Sequence, residues 1–290
     1  MTAVINSKVR NNAPGKFIRL SKGYTHYETA GAKTGPVVLF IHGFSVPYYM
    51  WDHNFRVLAQ AGFRVIRYDL YGRGLSDRPL TIYNQELFVI QIQELLDALA
   101  ITGPIHIIAT SMGGAVAAAF TATHPERVAK IVLIDPLFEK WRIGLLRVPL
   151  IGELLMKQSF LPAAPQQQLK DFFQPEKFQY WADRFKEQMQ FDGFGAALLS
   201  TLRYFISKDP TPNYEAIAHH HKSVLLLWGT ADQTTPPVGA EKLCQILHPE
   251  FHWIDQAGHL PHYEQPQIVN SYLRSFLMKQ QQTTLATANI

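Results

Sequence analysis

Three side chains have the types and settings to cooperate in nucleophilic catalysis: Ser111, Asp232 and His259. Ser111 stands in Ala109-Thr110-Ser111-Met112-Gly113-Gly114, between an apolar run (Ile105, Ile107, Ile108) and a stretch of small residues that suits a helix. Where a strand turns abruptly into a helix, the apex residue takes a strained, positive-φ conformation and its side chain is pushed outward. The positions two before and two after are squeezed together and accept little or no Cβ bulk. Ala109 and Gly113 occupy them. Taken by itself, the stretch fits a helix N-terminus capped by a serine equally well. A serine hydroxyl is a weak nucleophile, so Ser111 carries chemistry only if a base and an orienting acid reach it.

In an open parallel sheet such partners sit beyond the carboxyl ends of strands, where the loops converge. Asp232, in Trp228-Gly229-Thr230-Ala231-Asp232-Gln233-Thr234-Thr235-Pro236, follows the apolar run 223–229, and His259, in Ala257-Gly258-His259-Leu260-Pro261, follows the run 251–255. Asp135 also ends an apolar run and is a competing acid. Asp255, four positions before His259, is poorly placed to swing back under its ring.

The elements that must position these residues alternate. Strands are predicted at 17–20 and 24–29, joined by a hairpin, and at 36–41, 63–68, 105–108, 128–134, 223–229 and 251–255. Helices are predicted near 50–60, 84–100, 238–247 and 267–279, with one opening after Ser111. Alternation of this kind predicts an α/β fold with a mainly parallel sheet and helices on both faces. Between about 137 and 218 the pattern changes to helical segments rich in Phe, Trp and Gln, interrupted by Pro149, Pro162, Pro165, Pro175, Pro210 and Pro212. The expected organisation is a core of 1–136 and 219–280, a helical cap at 137–218, and a disordered Gln- and Thr-rich tail at 281–290.

The order Ser, Asp, His after successive strands, with His42-Gly43 after an early strand and the loop Asp69 to Ser76, resembles the α/β-hydrolase family over about residues 24–136 and 222–280. Ala109, where the family usually has glycine, is the departure. The resemblance implies that His259 is the general base for the Ser111 proton and that Asp232 fixes its imidazole tautomer. It also implies an oxyanion hole from the backbone N–H groups of Phe44 and Met112. His42 would buttress that loop, and Asp69 with Arg73 would pin the next one. Some members take their acid from the position of Asp135, but the Gly-x-x-Asp with trailing proline around Asp232 matches the usual acid loop.

Serine at the apex argues against haloalkane dehalogenase or epoxide hydrolase chemistry, because those relatives place an aspartate there. The reading is therefore a serine hydrolase, esterase- or lipase-like, for small-molecule esters with hydrophobic acyl groups. Trp141 and Trp181 are candidate pocket-wall residues, with packing of the cap helices as the alternative role. Other activities on the same frame stay open: a carbon-carbon bond hydrolase of ring-cleavage products, a cofactor-free perhydrolase, or a slow-turnover ligand receptor. The Gly-rich loop usual in the first of these is not seen in Phe44 to Tyr49.

Composition narrows the field. Hydrophobic residues at 47% and charged residues at 17% over 290 positions suit a soluble globular chain. A net charge of +4 with scattered basic residues gives no nucleic-acid footprint. The single Cys244, expected to be a buried inert thiol, precludes an intrachain disulfide. No apolar run reaches the ~18 residues of a membrane span, so the expected location is the cytoplasm without stable membrane insertion. No cofactor is expected, and no metal: His219, His220 and His221 are consecutive and point in different directions, and Gly72-Arg73-Gly74 lacks the spacing of a phosphate loop. Oligomeric state is not legible.

Overall fold

The apolar runs form the interior strands of one eight-stranded sheet. The structure, a computed structural model, describes residues 3–279, so the tail expected at 281–290 lies outside the described residues. The strands are β1 (Lys16–Leu20), β2 (Gly23–Ala30), β3 (Val37–Ile41), β4 (Arg64–Tyr68), β5 (Ile105–Thr110), β6 (Val128–Ile134), β7 (Ser223–Gly229) and β8 (Glu250–Ile254). Their spatial order is β1-β2-β4-β3-β5-β6-β7-β8. β1 and β2 form an antiparallel hairpin, and β2 runs antiparallel to β4. From β4 to β8 all neighbours are parallel. The fold is α/β with a mostly parallel sheet, as the alternation predicts.

Strands β3, β5, β6 and β7 lie inside the sheet, and nearly every residue in them is buried. That is why they read as unbroken apolar runs rather than alternating ones. Edge strand β8 is half-buried over most of its length. The main helices are α1 (Asp52–Gln60), α2 (Gln85–Ala98), α3 (Met112–Thr123), α4 (Leu161–Gln167), α5 (Tyr180–Met189), α6 (Phe194–Thr201), α7 (Thr211–His219) and α8 (Val238–Leu247), which lie between strands, and α9 (Pro266–Met278), which follows β8. β3 lies between β4 and β5, so the chain leaves β3 to one side and returns on the other. A crevice opens at such a switch point, beyond the carboxyl ends of the strands. His42-Gly43-Phe44 and Ser111 both emerge there.

All of α4 to α7 falls between β6 and β7, and the described residues of this stretch contain no strand of the sheet. Its prolines do not all break helices. Pro162 and Pro165 lie within α4, whose first residue bonds back to Met156 O across a π turn at Met156–Phe160. Pro162, at the second position of α4, forgoes an N–H just after the widened π turn, whereas Pro165 lies inside the helix and costs it the bond its N–H would make to Leu161 O. Cys244 is half-buried rather than fully enclosed, because it sits on the flank of α8, and burial raises its thiol pKa. Among the described residues no helix is long and apolar enough to cross a membrane.

Candidate active site

Ser111 joins β5 to α3 with φ 53° and ψ −128°. A non-glycine residue there carries strain of about 1–3 kcal/mol, which the surroundings must hold in place. They do so through the backbone: Ser111 N–H donates to the carbonyls of Ile134 and Asp135 at 3.1 Å, while Ser111 O accepts from Gly114 and Leu137 at 2.9 Å. A Cβ on Gly113 would lie 2.5 Å from His42 O and 2.6 Å from Ile41 O, so only glycine lets α3 approach β3 this closely. Ala109 is fully buried within β5, and its methyl is accommodated in the regular strand.

The loop after β3 passes beside the serine. A Cβ on Gly43 would lie 3.2 Å from Ser111 Cβ. Phe44 N and Met112 N, next in sequence to Gly43 and Ser111, are not engaged in a backbone hydrogen bond among the described residues. His42 buttresses the loop: its Nδ1–H donates to Gly43 O at 2.8 Å, and its Nε2 accepts from Leu70 N at 2.9 Å. Burial pushes its pKa down to about 4, so the ring is neutral and its tautomer fixed.

Asp69 and Arg73 act separately. Asp69 accepts from the Tyr48 and Leu75 N–H groups at 2.9 Å and pairs with His26 at 2.8 Å. Arg73, fully buried, donates to Phe44 O at 2.7 Å and to Thr201 Oγ1 on α6 at 2.9 Å. Gln188 on α5 donates to Ser45 O at 2.8 Å and accepts from Gly74 N at 3.0 Å. Two segments of the stretch between β6 and β7 therefore hold the loop that carries Phe44.

The His259 ring meets Asp232 from the other side. His259 Nδ1 lies 2.8 Å from Asp232 Oδ2, which also accepts the Thr235 hydroxyl at 2.7 Å. Asp232 Oδ1 takes the N–H groups of Thr234 and Thr235 at 2.7 and 3.0 Å. Burial opposes charge on Asp232, yet the charge and hydrogen bond of His259, with the Thr235 hydroxyl, hold its pKa below the usual carboxylate value. Burial likewise opposes charge on His259, but Asp232, Asp171 and Glu264 outweigh it and the pKa is raised. Asp135, Asp232 and His259 bring side-chain atoms within 4.8 Å of one another. With Nδ1–H directed at a carboxylate, that nitrogen has no lone pair for a metal, and hydrogen bonding accounts for the convergence.

Ser111 and His259 line one cavity of about 670 Å³, together with Gly43, Phe44, Met50 and Trp141. No Ser111–His259 hydrogen bond is formed among the described residues, so the hydroxyl and Nε2 must close on each other for proton transfer. Trp181 is not on this wall. It is fully buried in an aromatic cluster, edge-on to Tyr49 at 5.1 Å, Phe172 at 5.2 Å and Tyr263 at 4.6 Å, because its helix turns that face toward the segments after β3 and β8. Asp255 is exposed.

Sequence reasoning missed Asp171, Gln188 and Glu264. His259 N–H donates to Asp171 O at 2.7 Å, and Thr234 Oγ1 donates to Asp171 Oδ1 at 2.7 Å. Glu264 accepts from the N–H groups of Phe173 and Gly258, both at 2.7 Å, and burial pushes its pKa up to about 7. These residues clasp the 171–173 segment to the acid and base loops. Only their proximity to His259 in the chain could have singled out Glu264, and nothing local marks the other two.

A family model described as the alpha/beta hydrolase family matches residues 38–271. The chain belongs to the alpha/beta hydrolase family. The Bacillus subtilis (strain 168) AB hydrolase superfamily protein YfhM is 27% identical over 91% of this chain and 98% of its own. A Pseudomonas putida 2-hydroxy-6-oxononadienedioate/2-hydroxy-6-oxononatrienedioate hydrolase 1 is also 27% identical, over 96% of this chain and 99% of its own. Among solved structures of alpha/beta hydrolases, a thermophilic esterase from Thermogutta terrifontis superposes with a TM-score of 0.77 at 23% identity, over 91% of this chain and 98% of that one. At that identity the likeness concerns the fold.

Proposed function

We propose that this alpha/beta hydrolase is a serine hydrolase that cleaves carboxylic esters with hydrophobic acyl groups through an acyl-enzyme on Ser111. The observation that carries the reading is a serine, not a carboxylate, at the strained apex, sharing an apolar-walled cavity with a histidine bonded to a buried aspartate. His259 takes the Ser111 proton as Oγ attacks the carbonyl carbon, and Asp232 stabilises the imidazolium that forms. The N–H groups of Phe44 and Met112 receive the developing oxyanion. His259 then passes its proton to the leaving alcohol, and water, activated by the same ring, releases the acid. The stretch 137–218 serves as a cap over the site.

Hydrolysis of a carbon-carbon bond is the second reading, favoured by the near-full-length likeness to the Pseudomonas putida hydrolase. Its named substrate is a dioate, and two carboxylates need cationic partners. Among the described lining residues, the Lys and Arg complement is Lys170 alone, exposed and adjacent in sequence to the carboxylate Asp171. That balance supports a neutral ester. Val46, Met50, Leu146, Leu155 and Phe160 give the wall its apolar character.

A chromogenic ester panel of graded acyl length tests the proposal. Each buried methylene adds up to about 0.8 kcal/mol, so kcat/KM should climb by up to roughly fourfold per carbon and fall once the cavity is full. Turnover of a ring-cleavage dioate with no turnover of any ester would favour the second reading.

A further inference from the structure

Asp135 ends β6 beside the triad and has no part in the proton transfers above. It is fully buried, with φ 42°. Its backbone carbonyl accepts from Ser111 N, and its carboxyl Oδ1 accepts from Gly229 N at 2.9 Å. Oδ2 is buried and receives no donor. The carboxyl of Asp232 lies beside it, inside the 4.8 Å cluster with His259.

Two buried carboxyls this close cannot both be ionised. Asp232 takes two N–H groups, a hydroxyl and the imidazole, whereas Asp135 takes one N–H. The better-supplied group keeps the charge, and the other keeps a proton. A neutral carboxylic acid is a donor, and Asp232 is the acceptor available to it.

We propose that Asp135 is a positioning residue held as a neutral carboxylic acid, whose hydroxyl donates to the Asp232 carboxylate and fixes the oxygen that faces His259. It would thus be the partner of the triad acid rather than a substitute for it. Burial first, and the negative charge of Asp232 second, raise its pKa well above the usual value. The titratable groups facing this pair are His259 and Glu264 after β8, and Asp171 in the stretch between β6 and β7. The proposal rests on Asp232 being the ionised triad acid, but two of its tests need no substrate.

The folded chain holds a proton that the unfolded chain releases near pH ~3.9. Stability from this group therefore falls as pH rises above that value, toward the folded pKa. Asp135→Asn removes the dependence. Its melting temperature relative to the parent should rise by about 2 °C or more between pH 4 and pH 8; a pH-independent or falling difference would overturn the proposal. In the parent protein, the Asp135 carboxyl ¹³C resonance should sit at its protonated position at pH 7, and an ionised position contradicts it even if the variant does not fold. In ester turnover, the amide of Asp135→Asn can still donate, so Asp135→Ala should show a kcat at least tenfold lower than Asp135→Asn with little change in KM. Asp135→Leu, which keeps the bulk but not the donor, should lose as much as Asp135→Ala; a Leu variant as active as Asp135→Asn would make the role merely steric, and equal losses in Asn and Ala would overturn donation as the role. Absence of any ester turnover, with the stability and resonance results as expected, would count against the esterase reading and leave the acid pair standing.

Discussion

Arg73 holds Phe44 by its carbonyl oxygen at 2.7 Å and, through the same guanidinium, holds Thr201 on α6 at 2.9 Å. The peptide that presents the Phe44 N–H is therefore fastened both to the loop after β4 and to α6 in the stretch between β6 and β7. Burial lowers the Arg73 pKa to about 9, which still leaves it charged at neutral pH. A charge-assisted bond of this kind contributes about 1.5–3 kcal/mol.

Arg73→Lys keeps a charge but loses the two-pronged reach. We expect kcat for a good ester to fall by about 10–10²-fold, with KM changing less than threefold, because the loosened group acts on the transition state. A KM rise at constant kcat would mean instead that Arg73 shapes ground-state binding.

The pH dependence follows from His259. Its folded pKa is raised, so the unreactive imidazolium persists to higher pH, and kcat/KM should rise with a midpoint above the ~6.5 of free imidazole. Asp232→Asn removes the largest of the charges that raise it and leaves burial opposed only by Asp171 and Glu264. The midpoint should then move to lower pH while kcat drops by up to about 10⁴. Asp135→Asn should cost at least tenfold less. The opposite ranking would transfer the acid role to Asp135.

Much of this was legible because it is local. Buried parallel strands announce themselves as apolar runs, and Ser111, Asp232 and His259 each follow such a run, so the α/β frame and the candidate trio can be read from order alone. What could not be read depends on partners distant in sequence. Gln188 meets Ser45 across 143 positions and Arg73 meets Thr201 across 128. Their roles come from how α5 and α6 pack on the loops after β3 and β4, and no periodicity encodes that. Trp181 makes the same point: an aromatic residue in a helix is equally at home on a pocket wall or in a core, and only tertiary packing chose the core.

The two tryptophans should consequently separate. Trp141→Ala should shift the acyl-length optimum in the ester panel at nearly unchanged melting temperature. Trp181→Ala empties a fully buried site, at a cost of about 3–5 kcal/mol, and should lower the melting temperature by several degrees without moving the optimum. Matching effects in both variants would remove the distinction.

The central claim is that Ser111 is the nucleophile, and intact-mass and peptide analysis after treatment with a serine-directed organophosphonate tests it most directly. The account predicts a single adduct on the peptide containing Ser111, loss of ester turnover in step with labelling, and neither adduct nor turnover in Ser111→Ala. Active protein with Ser111 unlabelled, or turnover that survives in Ser111→Ala, would contradict it.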